Sequence, residues 1–246
     1  HEVALDAEYF QREGHRFHAT KAGQAAADSA TAARCRGILA SCPGVRVLEH
    51  EVASCGPVRV WGSPCQGSFF SEHSMAAFTL PPGGAGAPWP GIPEGVDVLV
   101  THGPPHGVGD LSGEKAPAPQ RAGCPLLREH VRRARPLLHL FGHIHEGYGA
   151  AREPAEAVGG GTTYVNAAVC TERYLATRLA VVVDLQLRRA PDGVPIGVDR
   201  KRPPEVWLAD RGEEVPEGSE ERAVDAEVAS PPAQPRAASA PEGSRP

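Results

Sequence analysis

The sequence predicts an α/β fold. Three observations carry this. Two apolar runs of strand length, Val96–Thr101 and Leu137–Phe141, are rich in β-branched and aliphatic residues. An amphipathic stretch, Pro125–Arg135, lies between them. Strand, helix, strand at this spacing is the signature of layered α/β packing. Glycine (28) and proline (25) are abundant among the 246 residues, so much of the chain is expected as loop.

The elements follow in chain order. Residues 3–17 read as a helix with Leu5, Tyr9, Phe10 and Phe17 facing inward. Residues 20–41 are alanine-rich and expected to be helical, at least over Ala32–Ala40. Val45–Leu48 and Val58–Trp61 read as short strands, and Pro81–Gly95 as a loop. Val96–Thr101 is nearly continuous in apolar residues, which suits a strand covered on both faces. In Pro125–Arg135, Leu127, Val131 and Ala134 share one face, with Arg128, Arg132 and Arg135 outside, and Pro136 ends the helix. Leu137–Phe141, Thr162–Ala167 and Leu179–Leu185 complete the strands. Residues 1–185 therefore read as one domain. Residues 186–246, rich in Pro, Glu, Arg, Ala and Ser, are expected to be a disordered tail, because little in them can offset ordering entropy. Val206-Trp207-Leu208 is the one apolar exception, read as a transient contact or a short partner-binding motif.

Composition excludes several roles. A net charge of −5 argues against a nucleic-acid scaffold that works by phosphate neutralisation. No run of about 18 apolar residues is present, so no membrane span is expected. The six cysteines form no C-x-x-C pair, which argues against a zinc ribbon. They are expected as reduced, mostly buried thiols. The chain starts at His1 rather than Met, as expected of a processed chain or a piece lacking its N-terminus. A cytoplasmic location is the default expectation.

Two histidine clusters follow strands directly: Thr101-His102-Gly103-Pro104-Pro105-His106 and Gly142-His143-Ile144-His145-Glu146-Gly147. Ligands in open α/β sheets bind beyond the carboxyl ends of strands. In extended chain, His143 and His145 would point to one side about 6.5–7 Å apart. That spacing suits two metal ions with one imidazole each better than one shared ion. Neutral imidazole is a good ligand for Zn, Fe and similar ions. His106 is a weaker candidate, facing substrate or solvent. Glu146 is a candidate to orient His145 through a hydrogen bond. His15, His18, His50, His73, His130 and His139 lack such context and read as surface or packing residues.

These segments resemble the C-terminal half of a calcineurin-like metallophosphoesterase, a superfamily whose motifs run D-x-H, G-D, G-N-H-E, a later His, then G-H-x-H. Gly142-His143-Ile144-His145 matches the last motif and His102 the one before it. His1-Glu2 resembles the end of G-N-H-E. The likeness is closest to the metallophosphoesterase-domain-containing branch. Trp61-Gly62-Ser63-Pro64, Ile92–Leu99, Thr101–Pro105, His145–Gly149 and Thr162–Ala167 all share its character, and the likeness covers roughly residues 1–185.

The resemblance implies a β-sandwich flanked by helices. It also implies a phosphodiesterase-type hydrolase with two divalent metal ions of the Mn, Fe or Zn class. His102 and His143 would bind one ion and His145 the other. His1 would contact the phosphate and protonate the leaving oxygen. The substrate would be a small phosphodiester or nucleotide-like molecule. D-x-H, a G-D ahead of the G-N-H-E position and the Asn before His1 have no counterpart in the chain, so the isolated piece is expected to be inactive and its full-length parent an enzyme. The rival from another class is a catalytically silent nucleotide- or partner-binding module on the same fold. A copper site on the N-terminal His suits a β-sandwich rather than alternating strands and helices. A structural zinc domain needs clustered ligands that this chain lacks.

Overall fold

The computed structural model describes residues 5–17, 29–67, 77–81, 84, 86–113, 120–153 and 161–208. Its centre is a six-stranded mixed sheet in the order β1 (Glu51–Cys55), β2 (Val58–Ser63), β3 (Val98–Thr101), β6 (Leu138–Phe141), β8 (Thr163–Asn166), β7 (Gly149–Arg152). The inner strands β2, β3, β6 and β8 run parallel, and both edges pair antiparallel. The expected α/β class is the one observed.

Helix α3 (Pro125–Ala134) makes the crossover from β3 to β6. Pro125 stands at its first turn, where no backbone donor is needed. The Cys124 thiol sulfur accepts the Leu127 amide at 3.4 Å, which caps the helix start. Arg135 ends it in the left-handed conformation, with its amide returned to the Val131 carbonyl at 2.8 Å.

Strand periodicity divides the core in two. Trp61, Leu99, Phe141 and Tyr164 face α3, where Leu127, Val131 and Ala134 join Trp89, Ile92 and Val96. Each fully buried aliphatic side chain here contributes roughly 1.5–3 kcal/mol. Trp89 and Ile92 are buried, so the stretch read as a plain loop is anchored by a short 3₁₀ turn (Trp89–Gly91). Val98, Leu138 and Val165 face the other way. They are covered by Val181, Val183 and Leu185, with Val206 from a second ribbon. That ribbon pairs β9 (Val181–Asp184) antiparallel with β12 (Glu205–Leu208).

Several expectations are corrected. Arg128 is buried rather than outside. Its guanidinium bonds the Tyr164 hydroxyl and pairs with Glu153 at 3.0 Å, so the charge is satisfied beside the apolar stripe. Val45–Leu48 is not a strand. The edge strand is Glu51–Cys55, formed by a tight turn at Gly56, whose φ of 56° suits glycine. Chain order does not dissolve at 186. Strands β10 (Leu187–Arg189) and β11 (Pro195–Val198) pair, and β12 closes on β9. Val206-Trp207-Leu208 thus finds its partner within the chain. Arg200 holds this segment down by donating to the carbonyls of Gly95, Val96 and Arg135 and pairing with Asp97. Residues 209–246 lie outside the described residues.

The helix expected over 3–17 is α1 (Ala7–Phe17), with Tyr9 and Phe10 buried. The helix expected over 20–41 is α2 (Ser29–Ser41), with 18–28 outside the described residues. Two short strands, β4 (Leu111–Ser112) and β5 (Gln120–Arg121), pair beyond β3. All six cysteines are free, but only Cys65 and Cys124 are buried. No helix among the described residues is long and apolar enough to cross a membrane.

Parallel pairing places the carboxyl ends of β2, β3, β6 and β8 along one rim. Ser63 is in register with Thr101, and Phe141 with Asn166. The loops leaving this rim are fastened together. Asn166, 1% exposed, donates from its amide to the Gly109 carbonyl at 3.1 Å and the Ile144 carbonyl at 2.8 Å. Asp110 accepts from the Gly107 and Gly123 amides and from Arg121, which sets the shape of the first loop. Where the loops cross, a Cβ on Gly147 would lie 2.0 Å from the Gly109 carbonyl oxygen. The nearest atoms, the Gly109 carbonyl oxygen and carbon, are backbone and cannot swing aside. Gly147→Ala is expected to cost about 1–3 kcal/mol by overpacking, read as a lower midpoint in urea unfolding. An unchanged midpoint would show that the loops are not in contact.

Under the same rim His139 is fully buried. The Thr101 hydroxyl donates to the Gly103 carbonyl at 2.8 Å, so His139 Nε2–H must donate to Thr101 Oγ1 at 2.9 Å. Nδ1 is left as a buried lone pair, and burial pushes the His139 pKa down to about 3. The unfolded chain takes up a proton near pH 6.5 that the folded chain refuses. Stability is therefore full above pH 6.5 and falls as the pH drops towards 3. In His139→Gln, which keeps a donor near Nε2 and does not titrate, unfolding free energy measured from pH 7 to pH 4 should fall less steeply than in wild type. Parallel slopes would assign the acid sensitivity elsewhere.

Candidate metal centre

His102 follows β3 and His143 follows β6, on neighbouring parallel strands. Their side chains converge: His102 Nε2 stands 3.2 Å from His143 Nδ1, with ring centroids 4.8 Å apart. Two imidazole nitrogens bound to one ion at about 2.0–2.1 Å, with tetrahedral or octahedral angles, would stand roughly 2.9–3.4 Å apart. The observed separation falls in that range. Burial is the main force lowering both pKa values, His102 to about 3 and His143 to about 4, and neighbouring positive charge adds to it. Both rings are thus neutral at pH 7, the protonation state a metal requires.

His143 reaches this position by leaving the strand geometry. Its φ is 71°, a left-handed conformation uncommon for any residue with a side chain. The extended-chain argument for His143 and His145 therefore does not apply, because alternation ends at Gly142. Ile144 returns its amide to the Gly142 carbonyl at 2.9 Å, and a 3₁₀ turn (His145–Gly147) begins at once. Backbone strain at a candidate ligand is a marker of function.

His145 is held differently. Its Nδ1–H donates to the Thr171 carbonyl at 2.8 Å, which leaves Nε2 as the lone pair. The Tyr174 ring stands edge-on to it at 5.2 Å. His145 contributes to lowering the His143 pKa. Among the described residues, no group of three or more His, Cys, Asp or Glu side chains converges on one point. The donors therefore fit part of a metal site: two imidazoles suited to one ion, and a third with its tautomer already set. The carboxylates that a pair of ions needs are not among the described residues.

The remaining expectations resolve plainly. Glu146 does not orient His145. Its carboxylate accepts the Gly113 amide at 2.9 Å, and the Thr171 carbonyl takes the role expected of it. His106 is exposed, with its backbone tied to the Cys124 carbonyl at 3.1 Å. His1, His18 and His73 lie outside the described residues, as does the side chain of His15.

Sequence reading missed a neighbouring group on the rim. His50 Nδ1 stands 3.0 Å from Ser63 Oγ, with Cys65 Sγ 4.0 Å from Nε2, and His50 too has a positive φ of 61°. Burial raises the Cys65 pKa, so the thiol stays protonated. The Trp61-Gly62-Ser63-Pro64 segment was the available signal for this position. No signal pointed to the 168–178 loop that supports His145.

Comparison with known proteins agrees with the motif reading. No family model matches the chain. The human and mouse proteins named metallophosphoesterase domain-containing protein 1 are each 43% identical to it over 156 residues, 63% of this chain and 43% of theirs. A Caenorhabditis elegans UPF0046 protein is 36% identical over 140 residues, 56% of this chain and 32% of that one. The chain spans less than half the length of these relatives. The branch that the motifs resemble is thus also the one whose name these relatives carry, and this chain is similar to them over 63% of its length.

Proposed function

We propose that this chain carries part of the active site of a metal-dependent phosphoester hydrolase of phosphodiesterase type, on a calcineurin-like sandwich. The observation that carries the reading is the 3.2 Å approach of His102 Nε2 to His143 Nδ1 at the carboxyl rim of a parallel sheet. The ribbon of β9 and β12 packed behind the central sheet supports the sandwich. The relatives' names support the hydrolase class.

His102 and His143 would hold one divalent ion of the Mn, Fe or Zn class, and His145 would serve a second through Nε2. Such ions neutralise phosphoryl oxygens and acidify a bound water. The chain's own contribution is positioning. Burial keeps His102 and His143 neutral. His139 and Thr101 brace the turn that presents His102. The Thr171 carbonyl fixes the tautomer of His145. Asn166 keeps the two ligand loops in contact, and that pre-organisation lets a site bind its metal without first ordering the chain. His1 is our candidate for protonating the leaving oxygen. The substrate class we propose is a small phosphodiester or nucleotide-like molecule.

If His102 and His143 share one ion, their contributions to its binding are coupled. In calorimetric titration with Zn²⁺, His102→Ala and His143→Ala should each weaken binding about tenfold or more. The double variant should lose little beyond either one. Simple addition of the two losses would place the rings on separate ions and sink the shared-ion reading. Against bis(p-nitrophenyl) phosphate with Mn²⁺, these 246 residues alone should show little or no turnover, because they hold no D-x-H and no G-D ahead of the His102 segment. Robust turnover would refute the proposed need for further ligands.

A further inference from the structure

We propose that Tyr174 is the surface on which the substrate rests a planar aromatic ring, such as a nucleobase, while its phosphoryl group lies at His145. This deepens the hydrolase reading above and rests on it. Tyr174 is 81% exposed, yet its backbone is left-handed at a φ of 59°. A bulky residue adopts that conformation only when its surroundings impose it. Burial cannot be the reason here, since the ring gains almost none.

The loop around it is rigid for another purpose. Its backbone is closed by Thr171 N to the Leu175 carbonyl at 2.9 Å and Tyr174 N to the Thr171 carbonyl at 2.8 Å. Arg178 donates to the carbonyls of Ala168 and Cys170, and also to that of His145. One guanidinium therefore fixes both the loop that presents Tyr174 and the turn that presents His145. The Thr171 carbonyl adds a second link by holding the His145 ring.

The outcome is an aromatic ring held upright beside a candidate phosphoryl-binding group, 5.2 Å away between centroids. The two rings meet in a T-shaped arrangement at an interplanar angle of 80°, and the Tyr174 ring stands largely in solvent. Leu175, 55% exposed, extends the apolar surface. Stacking on such a ring suits any flat heteroaromatic group, because every base offers a π-face. A phosphoester of a simple alcohol would bind the same site without using Tyr174.

The test compares adenosine 5′-monophosphate with inorganic phosphate, each titrated calorimetrically into the Mn²⁺-loaded chain. Tyr174→Phe keeps the ring and Tyr174→Ala removes it, and thermal unfolding checks that both variants stay folded. Tyr174→Ala should weaken the nucleotide roughly 5- to 150-fold, the usual loss for one base–aromatic stack. Tyr174→Phe should bind it like wild type, and phosphate should bind all three alike. Equal nucleotide affinity in wild type and Tyr174→Ala would overturn the inference while leaving the hydrolase reading intact. So would phosphate binding without nucleotide binding. Failure of both ligands to bind wild type would remove the underlying site, and the inference with it.

Discussion

The side-chain amide of Asn166 is the contact on which the candidate site depends. It sits at the end of the fourth parallel strand with both hydrogens committed, one to each ligand loop. Its carbonyl oxygen accepts the Ala168 amide at 3.1 Å, which starts the loop that supports His145. A single buried side chain thus ties together three segments distant in sequence. Buried polar groups of this kind carry a large penalty when unpaired, so the arrangement is close to all or none. Gly147 makes the approach possible, since a Cβ there would lie 2.0 Å from the Gly109 carbonyl oxygen, and Gly109 supports it with a left-handed φ of 56°.

Within that frame the candidate ligands are tuned by burial more than by charge. Among the described residues, neither ring belongs to a group of three or more metal-ligating side chains. Desolvation then dominates and keeps both rings neutral. The same effect acts on His139, one layer below, where burial keeps Nδ1 unprotonated while Nε2–H braces Thr101. Three histidines therefore do related work by one physical means. Two present lone pairs at the rim and one supports the turn beneath them.

The edges of the molecule follow a second logic. Residues 187–208 are rich in Arg, Asp and Pro, yet they form three strands. Val206 finds the exposed face of Val98, Leu138 and Val165. Arg200 satisfies carbonyls at the start of β3 and the end of α3 that would otherwise need water. Order in this segment comes from what the sheet leaves uncovered, not from the segment's own composition.

The sequence by itself determined the α/β class, strands within Val96–Thr101 and Leu137–Phe141, and the positions of His102, His143 and His145 just beyond them. Strand periodicity, a helix between strands and the G-H-x-H motif are local patterns, and local patterns survive in one dimension. Only the tertiary structure decided which imidazoles meet. Left-handed geometry at His143 turned that ring towards His102. Thr171, 26 residues away in sequence, claimed His145 in place of the adjacent Glu146. Arg128 went inside for the same kind of reason, because Tyr164 of β8 and Glu153, just past β7, meet it there. Such choices depend on partners brought close by folding, and spacing along the chain carries no record of them.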